Sequence, residues 1–171
     1  MRLLFDMDKK DYNPDGKKFV RPSVRGIIIK NGKIAMVHSI KYNYYKFPGG
    51  GIEENESKIE TLIREVREKS GLIVKADTIK EYGNVHRIQK SDKKDCDVFV
   101  QDNFYYICDT EQNICTQNLD DYEKEENYTL EFIDPQKAIQ VNRYENHGQI
   151  NQDMLEREAL VLELLIKDGI L

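Results

Sequence analysis

The sequence has no tryptophan and, among its 171 residues, only four prolines and three cysteines. The cysteines, Cys96, Cys108 and Cys115, are odd in number and lack the spacing of a metal site, so reduced thiols are the simplest account of them. No run of 18 apolar residues occurs, which argues against a membrane span. The N-terminus also lacks the apolar core of a signal peptide. These absences predict a cytoplasmic protein with no membrane partner.

The sequence also lacks an excess of positive charge. Its formal net charge of −5 argues against a nucleic-acid polymer as partner. A small anionic substrate is still compatible with this charge, because a bound cation can bring it in. The length, without internal repeats or low-complexity linkers, predicts one domain over residues 1–171. A homodimer is compatible with the sequence.

The most informative stretch is PGGGIEENESKIETLIREVREKSGL, residues 48–72. It begins with Gly49, Gly50 and Gly51, and three consecutive glycines predict a loop whose backbone can approach a ligand closely. Acidic residues follow the glycines, with Glu56 among them. A flexible, oxygen-rich turn packed against an acidic helix is what a site for a metal ion and a polyphosphate requires.

A helix is predicted after the glycines. Ser57 is expected to cap its N-terminus in a capping box with Glu60, and Gly71 is expected to end it. Four apolar residues recur at helical spacing and are expected to be buried: Ile59, Leu62, Ile63 and Val66.

Two carboxylates lie on the polar side of this predicted helix. At about 100° per residue, Glu65 and Glu68 lie about 60° apart, so that their charges repel unless a cation is near. In isolation, surface glutamates that serve solubility would be the better explanation of the pair. The glycines just upstream favour a hard metal ion such as Mg²⁺.

The same stretch resembles the Nudix box: Gly, five residues, Glu, seven residues, then Arg-Glu-apolar-x-Glu-Glu-x-Gly-apolar. Gly50, Glu56 and the run from Arg64 to Leu72 match every fixed position but one, since Lys69 stands where the last Glu of the pair is expected. The resemblance implies an α/β fold. This fold is an α/β/α sandwich with a mixed β-sheet, the box helix on one face and the C-terminal helix on the other.

The resemblance also implies an enzyme that hydrolyses a pyrophosphate bond in nucleoside diphosphates linked to another group, with Mg²⁺ or Mn²⁺ as cofactor. By position, seven residues would form its site: Gly49, Gly50 and Gly51 in the cofactor-binding loop, and Glu56, Arg64, Glu65 and Glu68 among the catalytic groups. Glu65, Glu68 and the carbonyl of Gly50 would be the metal ligands. The substrate would be a small nucleotide-type molecule.

Lys69 departs from the pattern and leaves the function open. A helix places it about 40° from Glu65, where its ammonium can neutralise that carboxylate and weaken metal binding. The stretch before the strand predicted at residues 128–133 resembles one in many Nudix proteins, where an acid approaches the metal or the attacking water. The resemblance implies Glu123 as the first choice for this acid and Glu126 as the second, although a solvated loop would also explain them. The alternative function is a catalytically weakened domain that binds a nucleotide-type ligand as a sensor or regulator.

Flanking segments complete the prediction. Strands at residues 23–29 and 34–39 are joined by Asn31-Gly32, which favours a type I′ hairpin. A long strand is predicted at residues 98–108, a polar loop at 109–127 and the C-terminal helix at 149–167.

Two further features have open interpretations. Three tyrosines precede the glycines and either stack on a base or sugar or cover the edge of the sheet: Tyr42, Tyr44 and Tyr45. Arg87 is a candidate for contact with a substrate phosphate.

Overall fold

The computed structural model describes residues 1–171, which form twelve strands and four α-helices. The strands are β1 (Leu3–Asp8), β2 (Lys18–Val20), β3 (Ser23–Ile27), β4 (Ile29–Lys30), β5 (Lys33–Ser39), β6 (Tyr44–Lys46), β7 (Gly49–Gly51), β8 (Leu72–Val74), β9 (Lys80–Lys90), β10 (Val98–Ile107), β11 (Thr110–Ile114) and β12 (Tyr128–Ile133). The helices are α1 (Lys58–Ser70), α2 (Asp121–Glu125), α3 (Pro135–Tyr144) and α4 (Gln152–Lys167). None of these helices is long and apolar enough to cross a bilayer.

The largest sheet is mixed, in the order β1-β9-β10-β3-β7, with β2 also paired to β10. Its central strand β10 runs antiparallel to β9 and parallel to β3. A second sheet has the order β12-β5-β4, with β6 also paired to β5, and a small third sheet pairs β11 with β8. The predicted mixed β-sheet is therefore confirmed.

The hairpin between β4 and β5 has the predicted two-residue turn. Asn31 and Gly32 have φ values of 53° and 71°, as a type I′ turn requires of both central residues. The turn aligns Ile29 with Ile34 and so sets the register of β5.

Neighbouring residues on the central strands face opposite layers, because side chains alternate along a strand. Tyr105 belongs to an apolar cluster that includes Leu162 of α4, whereas Tyr106 belongs to a cluster that includes Leu62 and Val66 of α1. This arrangement confirms the predicted α/β/α sandwich, with α1 on one face and the C-terminal helix on the other.

Helix α1 begins and ends as predicted. The capping box of Ser57 and Glu60 is formed, and Gly71 ends the helix with a left-handed φ of 75°. The predicted apolar stripe is only partly correct, since Leu62 and Val66 are fully buried but Ile63 is half-buried and Ile59 is exposed.

The helix is rotated about its axis relative to the prediction. Its buried residues include Thr61, Glu65 and Lys69, which lie on one side of Leu62 and Val66, whereas Ile59 and Ile63 lie on the other side. The rotation turns two charged side chains inward, which the apolar pattern alone does not indicate.

The polar loop predicted at residues 109–127 is wrong, because this segment contains β11 and α2. β11 is stabilised by pairing with β8, where Thr110 lies opposite Val74 and Ile114 opposite Leu72. In α2, Asp120 and Glu123 form a capping box. Both elements are polar in sequence and depend on partners elsewhere in the fold.

Candidate active site

A cavity of about 370 Å³ opens where β7, α1 and α2 meet. Charged residues of both signs line it: Arg21, Arg25, Lys46, Lys69, Glu65, Asp120, Glu123 and Glu126. A larger groove of about 650 Å³ lies between β1 and α4, but no residue of the stretch 48–72 lines it. The predicted phosphate contact Arg87 lies in that groove, 3.7 Å from Asp153, and not in the charged cavity.

The three glycines form the short strand β7 rather than the predicted loop. β7 pairs antiparallel with β3, with Gly50 opposite Val24 and Gly49 opposite Arg25. Gly49 has a φ of 151°, and a Cβ there would collide with the backbone of Val24. A Cβ at Gly50 would collide with the carboxylate of Glu65. Glycine is therefore required at position 49 for close packing of β7 against β3, and a side chain at position 50 would displace the carboxylate of Glu65.

Arg64 connects the predicted acidic residues to one another. Its Nε and Nη2 donate to the two carboxylate oxygens of Glu56, each at 2.7 Å. Its Nη1 donates to Glu65 at 2.8 Å and to Glu68 at 3.3 Å, and Nη2 also donates to the carbonyl of Gly51 at 3.3 Å. The hydrogen bonds from Arg64 are the main cause that lowers the pKa of Glu56 to about 2.

Glu65 has one oxygen free. The residue is 6% exposed, its Oε1 accepts from Arg64, and its Oε2 is buried without a hydrogen-bond partner. A buried carboxylate oxygen without a donor or a cation is costly. Glu68, one helical turn further along α1, is also held by Arg64 and is less buried.

The donor set fits one hard divalent cation that shares its coordination with a substrate. Mg²⁺ is usually bound through one or two carboxylates together with phosphates and water, and Glu65 and Glu68 are two such carboxylates. No group of three or more His, Cys, Asp or Glu side chains is arranged to hold an ion by itself. The unpartnered oxygen of Glu65 is the observation that favours a cation here.

Lys69 does not pair with Glu65 as predicted. Its Nζ lies 2.9 Å from Oδ2 of Asp120 and 2.9 Å from Oε2 of Glu123, two acids at the start of α2. Burial alone would lower the pKa of Lys69, but the hydrogen bonds to Glu123 and Asp120 outweigh it and raise that pKa.

Glu123 and Glu126, the two acids predicted to approach the metal or the water, both line the cavity. Glu123 is 1% exposed, and its oxygens accept from Lys69, from the hydroxyl of Tyr122 and from the backbone of Asp120. Glu126 accepts from the hydroxyls of Ser39 and Tyr44. Both carboxylates therefore already interact with hydrogen-bond donors of the protein itself.

Lys46 is a site residue that the sequence analysis missed. Hydrogen bonds hold the backbone of its two neighbours in the chain, Tyr45 and Phe47. The side chain of Asn142 accepts from the N–H of Tyr45 and donates to its carbonyl, and Glu158 accepts from the N–H of Phe47. Tyr45 and Phe47 pack into the cluster beside α3 and α4, and Lys46 lines the cavity. A lysine flanked in sequence by two aromatic residues, at the end of a short strand, was the available signal.

The charge on Lys46 is only partly compensated. Burial, reinforced by the nearby charge of Arg25, lowers the pKa of Lys46 to about 8, and Glu123 at 3.7 Å only partly offsets this. Arg25 donates to the carbonyl of Gly49, but its Nε is buried without a partner. The wall thus carries cationic groups that are not fully paired, which favours an anion in the cavity.

Of the three tyrosines that precede the glycines, Tyr42, Tyr44 and Tyr45, only Tyr44 lines the cavity. Tyr44 is buried, and its hydroxyl contacts both Tyr128 and Glu126, so that its ring is fixed in the wall. Tyr122 lines the same cavity, packs edge-on against Tyr128 and is 53% exposed. Of the aromatic rings that line the cavity, Tyr122 is therefore the exposed one, and it was not singled out from the sequence.

Fold and site together define a class of protein: an α/β/α sandwich in which a glycine strand and a carboxylate-bearing helix border one charged cavity. Comparison with protein families agrees with this class. The family model described as NUDIX domain matches residues 20–156. The chain belongs to the NUDIX family.

Similar proteins cover the chain to different extents. An RNA pyrophosphohydrolase from Halorhodospira halophila is 43% identical over 54 residues, which are 30% of this chain and 29% of that protein. One from Xanthomonas campestris pv. campestris is 33% identical over 63 residues, or 36% and 29% of the two chains. The matched segment thus spans less than a third of the length of these relatives.

Solved structures agree on the fold alone. The E. coli ORF135 protein superposes with a TM-score of 0.53 at 18% identity, over 84% of this chain and 91% of that one. The MutT NUDIX hydrolase from Burkholderia pseudomallei superposes with a TM-score of 0.54 at 14% identity, over 81% and 97% of the two chains.

Proposed function

We propose that the protein is a divalent-metal-dependent hydrolase of a pyrophosphate bond in a nucleoside-diphosphate-linked small molecule. One observation carries the proposal. Oε2 of Glu65 and Nε of Arg25 are both buried without a partner, and both residues line the same cavity. A ligand that brings a cation together with phosphate oxygens satisfies both atoms at once.

The residues of α1 and β7 would hold the cation. Glu65 and Glu68, with the carbonyl of Gly50, are the proposed ligands for Mg²⁺ or Mn²⁺. When bound, such an ion neutralises phosphate oxygens and lowers the pKa of water. Arg64 fixes the directions of both carboxylates, and Glu56 in turn fixes Arg64 through a two-pronged ion pair.

The opposite wall would bind the rest of the substrate. Lys46 and Arg25 place positive charge where the phosphates would lie, and both are partly buried from water, which strengthens their attraction for an anion. Tyr122 offers an exposed aromatic face or edge to a base. Glu123 fixes the two lysines of this wall through its ion pairs.

A 5′-triphosphorylated RNA end is a second candidate substrate. The names of the relatives from Halorhodospira halophila and Xanthomonas campestris pv. campestris favour it. Such an end carries the same kind of phosphoanhydride bond as a nucleotide. The net charge of −5 opposes a long polymer contact, so recognition would be confined to the phosphorylated end.

The ion pairs of Lys69 favour a third candidate, a weakened domain that binds a nucleotide-type ligand without cleaving it. Asp120 and Glu123 both form ion pairs with this lysine, which leaves the cavity with few carboxylates free to bind a metal ion. A sensor or regulator would need the cationic wall of the cavity but not the metal.

A substrate panel tests these candidates. The purified protein is incubated with Mg²⁺ or Mn²⁺ and nucleotide sugars, dinucleoside polyphosphates, ADP-ribose, nucleoside triphosphates or a 5′-triphosphorylated RNA oligonucleotide, and products are identified by mass. Cleavage of a small molecule at its pyrophosphate bond is expected. Turnover of the RNA alone would favour the second candidate, whereas binding without any product would contradict hydrolysis and favour the sensor.

A further inference from the structure

Two carboxylates converge on a single nitrogen in the wall of the cavity. Oδ2 of Asp120 and Oε2 of Glu123 each lie 2.9 Å from Nζ of Lys69. Glu123 is almost completely buried and Lys69 is 5% exposed, so this ion pair is shielded from water, whereas Asp120 closes the position from its solvent-exposed side. Oxygen atoms from two acids that face one point are the usual surroundings of a bound cation. Here the cation is the ammonium of the chain itself.

The position of this ammonium matters because it borders the place proposed for the metal ion. Glu65, one helical turn before Lys69, lines the same cavity, and its Oε2 is unpartnered. Lys46 adds a second ammonium 3.7 Å from Glu123. A divalent cation is therefore attracted to the Glu65 side of the cavity and repelled from the side that holds Asp120 and Glu123.

We propose that the ammonium of Lys69 is a built-in cation that occupies a metal position formed by Asp120 and Glu123, so that the site takes one divalent ion fewer than its carboxylates can hold. One part of this inference, the divalent ion at Glu65, rests on the proposed function. The position formed by Asp120 and Glu123 does not. Lys69 is a positioning residue: it fixes Glu123 and keeps the second position filled when divalent ions are scarce.

Counting bound Mn²⁺ ions tests this inference. Equilibrium dialysis and electron paramagnetic resonance give the number of Mn²⁺ ions per chain for the wild type, Lys69→Ala and Lys69→Glu. Both variants remove the ammonium, and the second adds a carboxylate. Each variant is expected to bind one more Mn²⁺ than the wild type. Lys80→Ala and Lys80→Glu, at an exposed position on β9, make the same charge changes away from the cavity and should leave the number unchanged.

A double variant locates the additional ion. Lys69→Ala combined with Glu123→Gln should return the number of ions to that of the wild type, because Glu123 supplies half of the position. Thermal melts monitored by circular dichroism give a second measurement. Addition of Mn²⁺ should raise the melting temperature of Lys69→Ala and Lys69→Glu more than that of the wild type, since an ion that binds only the folded state stabilises it.

Equal numbers of ions in the folded wild type and folded Lys69→Ala would overturn the inference. Failure of both single variants to fold in the presence of Mn²⁺ would also overturn it, because a metal ion then does not replace the ammonium. The substrate panel is scored separately. An inert wild type together with an additional ion in Lys69→Ala would reject only the hydrolase, whereas an active wild type without an additional ion in that variant would reject only this inference.

Discussion

At the scale of single residues, the site is organised by one arginine and one unpaired oxygen. Arg64 contacts Glu56, Glu65 and Glu68, and so holds three carboxylates that would otherwise repel one another. Its hydrogen bonds to Glu65 use Oε1 and leave Oε2 free. A guanidinium in this place orders the acids and leaves Oε2 of Glu65, a residue that lines the cavity, without a partner.

The ion pair of Glu56 with Arg64 predicts a pH dependence of stability. The pKa of Glu56 lies at about 2 in the folded protein, below its ordinary value of 4.5, so the pair stabilises the fold above pH 4.5 and loses its effect as the pH falls toward 2. Glu56→Gln should therefore be less stable than the wild type at pH 7, and the difference should shrink with acid. Urea melts between pH 7 and pH 2.5 measure it. Glu54→Gln, at an exposed position, is the control, and a difference that is constant with pH would contradict the prediction.

Lys46 predicts a pH dependence of anion binding. Its pKa of about 8 means that its charge is lost as the pH rises through that value, well below the ordinary 10.5. Binding of inorganic pyrophosphate without divalent ions, followed by calorimetry from pH 7 to 9, should weaken more steeply for the wild type than for Lys46→Met. Lys90→Met, at an exposed residue, should behave as the wild type does. Parallel pH profiles for the wild type and Lys46→Met would show that this ammonium does not contact the anion.

At the scale of elements, helix α1 has two functions that compete for its orientation. One face must bury Leu62 and Val66 against the sheet, and the adjacent face must present Glu65 and Lys69 to the cavity. The helix satisfies both by exposing Ile59 at its first turn. The burial of Glu65 and Lys69 in this orientation is thus accompanied by the exposure of one apolar residue, Ile59.

This orientation predicts unequal effects of two similar substitutions. Leu62→Ala should lower the free energy of unfolding by about 2–5 kcal/mol, because it leaves a cavity in a fully buried cluster. Ile59→Ala should change it by less than about 0.5 kcal/mol, because the side chain is largely exposed. Chemical melts of the two variants measure the difference. Equal losses would mean that the helix packs with the apolar stripe expected from the sequence.

At the scale of the whole molecule, the features that the sequence predicts correctly are those determined by short stretches of neighbouring residues. The Asn31-Gly32 turn, the capping box of Ser57 and the end of α1 at Gly71 each depend on residues within a few positions, and all are confirmed. The α/β/α sandwich followed from the resemblance of one motif, whose fixed spacing identifies the fold more specifically than composition does.

The features that were missed depend on residues far apart in the chain. Lys69 is separated from its partner Asp120 by 51 positions. The carboxylate that accepts from the N–H of Phe47 belongs to Glu158, 111 positions away. Contacts over such long separations in sequence leave no local pattern. For this reason, neither the partner of Lys69 nor the direction in which Lys46 points could be predicted from hydrophobic periodicity. The polar sequences of β11 and α2 were assigned to a loop for the same reason.

The most direct test of the account concerns the unpaired oxygen of Glu65. On whichever small-molecule substrate is cleaved in the panel, single-turnover rates at saturating Mg²⁺ are compared for the wild type, Glu65→Gln and the exposed-site control Glu54→Gln. The account predicts that Glu65→Gln lowers the rate by at least about 100-fold, equivalent to roughly 2.7 kcal/mol of barrier, and that Glu54→Gln retains it. A Glu65→Gln variant that cleaves at the wild-type rate would contradict the assignment of the site.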